Sequence, residues 1–282
     1  MILVQDQLKD QSEVRIDIED RGYQFGDGVY EVVRIYNGQY FGMEEHLIRL
    51  ERSAREIQMT LPYSIELLKE RLEKLAKAND IRDGHVYLQI TRGVAERTHQ
   101  FPLQQAPFLV AYARKSPRPL SKMKDGITAI TTEDIRWLRC DIKSLNLLGN
   151  VLGKQKAMDT KCDESIFIRN DIVTEGSSTN VYIVKNGEIW THPANNFILN
   201  GITRQVVLDI AKETGITVHE ETFTKNELMD ADEVIISSTT MEVTPVISID
   251  GTQVSNGEPG KVARTLQEKF NERIAQLQRV KN

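Results

Sequence analysis

The sequence predicts a mixed chain of two domains, an α+β domain followed by an α/β domain. Three observations carry that reading. Strand-like alternation and helix-like spacing recur along the whole chain. The run Arg114 to Leu120, R-K-S-P-R-P-L, places two prolines close together, which stiffens the backbone and resists helix and sheet alike. A chain of 282 residues is long enough for two ordinary domains. The expected division is residues 1–113, a linker at 114–120, and residues 121–282.

In the first part, Val14, Ile16 and Ile18 alternate with charged residues, the pattern of a strand with one buried face. Gly22, Gly26 and Gly28 mark tight backbone before a strand at Val29–Tyr36. Asn37-Gly38 signals a hairpin into Gln39–Phe41. No helix pattern follows the glycines, so they do not form a nucleotide fingerprint. Leu47, Leu50, Ala54 and Ile57 predict an amphipathic helix over Glu44–Met59. Ser64 caps a second helix to Ala78, with Leu67, Leu68, Leu72 and Leu75 inward. Strands follow at His85–Thr91 and Pro107–Ala113, around a polar loop, Gly93–Pro102, that holds Arg97 and His99.

The second part opens with a strand at Gly126–Thr131 and a helix at Leu147–Met158, which Gly149 and Gly153 weaken. Further strands are expected at Glu164–Arg169, Ile172–Thr174, Val181–Val184, Glu188–Thr191, Thr217–Thr222, Glu233–Ser237 and Val243–Ile249. Helices are expected from Asn200 to Glu213, at Lys225–Met229 behind a Thr224 cap, and over Gly257–Gln278.

Composition narrows the function. Hydrophobic residues make up 40% and charged residues 27%, the balance of a globular protein. A net charge of −5 without a dense basic cluster argues against nucleic acid or an anionic membrane as main partner. No apolar run approaches the roughly 20 residues that span a bilayer. The N-terminus lacks the apolar core of a signal peptide, and Cys140 and Cys162 form neither a disulfide framework nor a metal-ligand spacing. A cytoplasmic protein with reduced thiols and no metal is expected.

The chemistry starts at Lys143, set between Ile142 and Ser144 just upstream of an apolar run from Leu145. Apolar surroundings disfavour the charged form and release a neutral amine, the nucleophile that a Schiff base requires. The ordinary alternative is a surface lysine whose stem snorkels. Three polar clusters sit at strand ends or helix starts: Ser177-Ser178-Thr179, Ile202-Thr203 and Ser238-Thr239. Hydroxyls and free N–H groups at a helix N-terminus suit an anion, although each cluster also serves as a cap or turn. Glu175 follows an apolar strand, and a buried carboxylate there needs a cationic partner.

The spaced residues Glu175, Ser177, Asn180-Val181-Tyr182, Ile189, Thr191, Leu199, Gly201-Ile202 and Arg204 resemble the signature of the class-IV pyridoxal-phosphate aminotransferases. D-R-G-Y-Q-F-G-D-G-V-Y-E-V-V, the R-x-H loop and D-I-R-W-L-R-C-D-I-K-S-L-N-L-L-G are similar to the D-amino-acid aminotransferases of that family. The resemblance implies a two-domain fold of type IV, with pyridoxal 5′-phosphate in the cleft between domains and the cofactor lysine, Lys143, on the C-terminal domain. It implies that Lys143 bonds to the cofactor and shuttles the substrate proton, and that Glu175 faces the pyridine nitrogen. Arg49, the Ile202 and Thr203 amides and the Thr239 hydroxyl would hold the phosphate. Leu199 would pack on the ring, with Ser178 and Ser238 nearby. Tyr30, Arg97 and His99 would trap the substrate carboxylate, the Arg97–His99 loop being lent across a homodimer. The expected reaction moves an amino group between a D-amino acid such as D-alanine and a 2-oxo acid such as 2-oxoglutarate, in the service of bacterial cell-wall precursors. A branched-chain L-aminotransferase, a lyase acting on aminodeoxychorismate and a non-enzymatic binding module are the rival readings.

Overall fold

The computed structural model describes residues 1–279. The chain divides into two units, Met1–Pro117 together with Ile142–Asn146, and Arg118–Asp141 together with the chain from Leu147 onward.

The first unit is built on strands β1 (Ile2–Val4), β2 (Gln7–Lys9), β3 (Gly28–Tyr36), β4 (Gln39–Phe41), β5 (Gly84–Thr91) and β6 (Phe108–Lys115). They form one antiparallel sheet in the order β2-β1-β6-β5-β3-β4. Asn37 and Gly38, both at positive φ, make the expected β3–β4 turn. Helices α1 (Arg21–Phe25), α2 (Met43–Glu56) and α3 (Ile65–Ala78) complete the unit. Leu47, Leu50 and Ala54 of α2 and Leu68, Leu72 and Leu75 of α3 bury against Val29, Val33, Val86 and Leu88. Ser64 caps α3 by accepting the Leu67 N–H at 3.3 Å.

Three expectations are corrected here. Val14–Ile18 is not a strand; Ile16 and Ile18 are exposed, so the alternation has no buried face to serve. Leu67 is exposed, because Leu68, Leu72 and Leu75 already fill the stripe facing the core. Residues 142–146, including Lys143, belong to the first unit rather than to the C-terminal one. Hydrogen bonds explain it: Tyr30 N–H donates to the Lys143 carbonyl (3.0 Å), Leu145 N–H donates to the Gly28 carbonyl (3.0 Å), and Ser144 bridges Val29. The segment is an extra edge on β3, and Ile142 joins the core of that unit. Gly28 permits the approach, since a Cβ there would lie 2.8 Å from Leu145 Cδ1 and 2.6 Å from the Ile90 carbonyl.

The second unit comprises α4 (Leu120–Asp125), β7 (Ile127–Glu133), α5 (Leu148–Asp159), β8 (Glu164–Arg169), β9 (Ile172–Gly176), β10 (Asn180–Lys185), β11 (Glu188–Thr191), α6 (Ile202–Glu213), β12 (Val218–His219), α7 (Lys225–Met229), β13 (Glu233–Ser238), β14 (Glu242–Ile249), β15 (Thr252–Gln253) and α8 (Lys261–Arg279). One mixed sheet runs β12-β11-β10-β13-β14-β7-β8-β9, with β15 paired to β14. β7 and β8 are parallel, which requires the crossover that α5 supplies. The strand expected at Thr217–Thr222 shrinks to two residues, and α8 starts at Lys261, where its Val262 and Ala263 amides donate to Glu233 at 2.9 Å. Among the described residues no helix is long and apolar enough to cross a membrane.

Candidate active site

In the first unit the polar groups gather where β3 meets α2. Alternation along β3 turns Val29, Glu31 and Val33 to the core and Tyr30 and Val32 to the other face. On α2 an apolar stripe (Met43, Leu47, Leu50, Ala54) runs beside a buried polar one (His46, Arg49, Ser53). Glu31 is completely buried and meets that polar stripe. Arg49 grips it twice, Nε to Oε1 at 2.7 Å and Nη2 to Oε2 at 2.9 Å, while His46 Nδ1–H donates to Oε2 at 2.7 Å. Burial alone would raise the Glu31 carboxyl; the Arg49 and His46 contacts overcome it and hold the group far below the ordinary range. Burial, aided by the Arg49 and Lys143 charges, pushes His46 down against the pull of Glu31.

Ser53, on the same stripe, accepts the Lys143 N–H at 3.2 Å. The Lys143 amine is half-buried and stands 4.4 Å from the centre of the Tyr30 ring. Tyr30 stacks on Tyr87, and Tyr87 on Tyr112. Arg97 and His99 are exposed and rest against Phe25, at 5.0 Å and 5.8 Å. Their loop is pinned to α1: Arg21 Nη1 donates to the Thr98 carbonyl at 2.7 Å, and Ala95 N–H donates to the Glu19 carbonyl at 3.2 Å. Lys143 thus meets Tyr30 through its amine and Ser53 of α2 through its backbone, Arg49 is taken up by Glu31, and Arg97 and His99 rest on Phe25.

In the second unit Glu175 is buried, and three donors converge on it. Arg136 Nη1 lies 2.5 Å from Oε1; the Leu199 N–H (3.0 Å) and Asn180 Nδ2 (3.3 Å) reach Oε2. Burial, with a smaller push from the Asp134 charge, holds the Glu175 carboxyl above its ordinary value, and Arg136 and the Leu199 amide offset only part of that rise. Ile202 and Thr203 open α6 behind Gly201, and no side chain caps this end, so its first amides remain available to an anion. Gly201 is required there because a Cβ would lie 2.3 Å from Asn180 Oδ1. Arg204 turns away and holds the helix start to the His192 carbonyl (3.0 Å) and Glu220 (2.7 Å).

The serine clusters separate by environment. Ser177 and Thr179 turn inward onto buried Glu164, which also accepts the Ser165 and Ser177 amides at 2.8 and 3.2 Å. Ser178 alone of the three is exposed. Glu164→Ala would strand several buried donors, with an expected cost of about 3 kcal/mol and a melting temperature lower by about 5 °C or more in thermal unfolding. Ser238 accepts the Met241 N–H at 3.1 Å, and Thr239 sits half-buried in the same turn.

Glu31, His46, Asp134 and Arg136 escape a reading of motifs alone. The signals were present: a carboxylate on the inward phase of β3, a polar i, i+3, i+7 stripe beside an apolar one on α2, and a D-x-R pair ahead of Lys143. No group of three or more metal-ligating side chains occurs among the described residues.

The family model for class IV amino-transferases matches residues 28–249. The chain belongs to the class IV aminotransferases. This class IV aminotransferase is 54% identical over 278 residues to the D-alanine aminotransferase of Listeria monocytogenes serotype 1/2a (strain 10403S), an alignment covering 97% of this chain and 96% of the relative. It is 52% identical over 274 residues to that of Staphylococcus haemolyticus, covering 97% of each. Among solved structures it superposes on the branched-chain amino acid aminotransferase of Escherichia coli with a TM-score of 0.92 at 27% identity, covering 96% of this chain and 93% of the other. The branched-chain amino acid aminotransferase of Thermobaculum terrenum, solved in its PLP form, gives a TM-score of 0.87 at 25% identity, covering 97% and 93%. Class IV aminotransferases are pyridoxal-phosphate enzymes of fold type IV, and each unit holds groups that fit that cofactor: a half-buried primary amine in the first, and in the second a buried carboxylate suited to a protonated pyridine and an uncapped helix N-terminus suited to a phosphate.

Proposed function

We propose that the chain is a pyridoxal-phosphate-dependent D-amino-acid aminotransferase, moving an amino group from a D-amino acid such as D-alanine to a 2-oxo acid such as 2-oxoglutarate. The observation that carries the substrate class is 52–54% identity, over nearly the whole chain, to relatives named D-alanine aminotransferase. The solved branched-chain enzymes share the fold at about half that identity.

When bound, pyridoxal phosphate supplies an aldehyde that condenses with primary amines and a ring that accepts the electron pair left by a broken Cα–H bond. The protein supplies orientation and proton traffic. Lys143 would take the proton from the substrate Cα and hold it on its Nζ, a task suited to a half-buried amine held by its backbone on β3 and α2. Glu175 keeps a proton on the pyridine nitrogen. Arg49, the Ile202 and Thr203 amides and the Thr239 hydroxyl would hold the phosphate, and Leu199, Ser178 and Ser238 would line the ring. Tyr30, Arg97 and His99 hold the substrate carboxylate. With the carboxylate fixed and the base on one side, the single Cα hydrogen faces Lys143 in only one enantiomer, which sets the handedness. The exposure of Arg97 and His99 on Phe25 supports a homodimer in which that loop serves the partner.

The test is a panel of D- and L-amino acids with 2-oxoglutarate. D-alanine should yield pyruvate and L-leucine should not replace it; a preference for L-leucine overturns the assignment. Arg97→Ala should lower kcat/KM for D-alanine by about 100-fold, the cost of an unpaired carboxylate. An unchanged value removes Arg97 from the trap.

A further inference from the structure

Behind Glu175 lies a row of alternating charges. Arg169 contacts Asp134 (Nε at 3.3 Å from Oδ2, Nη2 at 3.0 Å from Oδ1); Asp134 takes Arg136 in a two-point grip (Nε to Oδ1 and Nη2 to Oδ2, both 2.9 Å); Arg136 reaches Glu175 at 2.5 Å. The order is cation, anion, cation, anion, and it ends on the carboxylate. Asp134 and Arg136 are buried. Thr174 donates its hydroxyl to Asp134 at 2.9 Å, and the Arg136 guanidinium lies 4.6 Å from the centre of the Phe167 ring. Cys140 also lies near Glu175; burial pushes its thiol up to about 11, so it stays neutral.

This row has more parts than a loop anchor needs. Asp134 already has Arg169, Thr174 and the Arg136 amide, and Glu175 already has the Leu199 and Asn180 donors. The Arg136 charge adds a bias on Glu175. A buried carboxyl without a permanent cation behind it takes up a proton. A carboxyl facing a pyridine nitrogen shares one proton with it, and the lower proton affinity of the two loses it.

We propose that Arg136, held by Asp134, is a positioning residue that keeps Glu175 a carboxylate and so leaves the shared proton on the pyridine nitrogen. The inference rests on Glu175 being the partner of that nitrogen. In Arg136→Met the proton moves to Glu175 Oε, and the neutral ring nitrogen then accepts the hydrogen bond.

The experiment loads the enzyme with cofactor labelled with ¹⁵N in the ring and reads its chemical shift. Wild type should show the protonated-nitrogen shift, Arg136→Met the neutral-nitrogen shift, and Arg136→Lys a return towards wild type. A protonated ring in Arg136→Met overturns the proposal. Glu175→Gln separates this from the underlying reading: if that variant keeps the wild-type shift, Glu175 is not the ring partner at all. Should Arg136→Met fail to fold, ¹³C-carboxyl spectra of wild-type apoprotein decide, with Glu175→Gln assigning the signal. In those spectra Glu175 should give the carboxylate shift at neutral pH, and a protonated carboxyl there overturns the proposal.

Discussion

Lys143→Ala should lose about 10⁴-fold or more of kcat in pyruvate formation from D-alanine and 2-oxoglutarate, because one substitution removes the amine proposed both to bond to the cofactor and to move the substrate proton. The fold should survive it. Lys143 is tied down through its backbone, its N–H to Ser53 Oγ and its carbonyl to the Tyr30 N–H, and alanine keeps both bonds. Lys143→Arg should be as inactive, since a guanidinium does not become a neutral nucleophile. Added methylamine should restore part of the alanine variant's rate. Borohydride treatment of the loaded wild type should leave cofactor mass on the Lys143 peptide. A variant retaining a tenth of the rate, or an unlabelled peptide, removes Lys143 from the chemistry.

The second large effect is on stability. Glu31→Ala leaves Arg49 and His46 facing a buried gap, and breaking a buried charge pair from one side costs about 3–5 kcal/mol. The apoprotein should melt about 10 °C lower. Its pH dependence has a definite sign. The partners hold the folded-state value of Glu31 below its ordinary 4.5, so its contribution is complete above that pH and is lost as the pH falls through the folded-state value. Glu31→Ala should therefore lose part of the acid-side slope in stability. The variant should also bind cofactor more weakly, because Glu31 fixes the arginine assigned to the phosphate. Equal melting temperatures for variant and wild type would end this account of the network.

Legibility in the sequence followed the range of each interaction. The hairpin marked by Asn37-Gly38, the Ser64 and Thr224 caps and the α2 and α3 stripes depend on neighbours a few residues away, and the local code states them. Strands β1 and β2 have three residues each, too few for a period to register. The alternation at Val14–Ile18 lacks a partner strand, and periodicity alone cannot report that. Lys143 was singled out by the family resemblance rather than by its apolar flanks, and its attachment to β3 depends on Gly28 and Tyr30, more than a hundred positions earlier. Arg136 and Glu31 are buried charges whose function lies in what they face, and a string of residues shows the charge without the partner.

The excursion of residues 142–146 into the first unit has a consequence for how this protein can be taken apart. Neither unit is one continuous stretch of chain. A gene fragment stopped at Pro117 would encode a sheet missing an edge segment, a core missing Ile142 and a site missing its amine. The complementary fragment would carry the lysine as a five-residue insertion with no strand to dock on. A cut at the proline-rich linker therefore does not separate the two units as independent modules, since it leaves residues 142–146 on the wrong fragment.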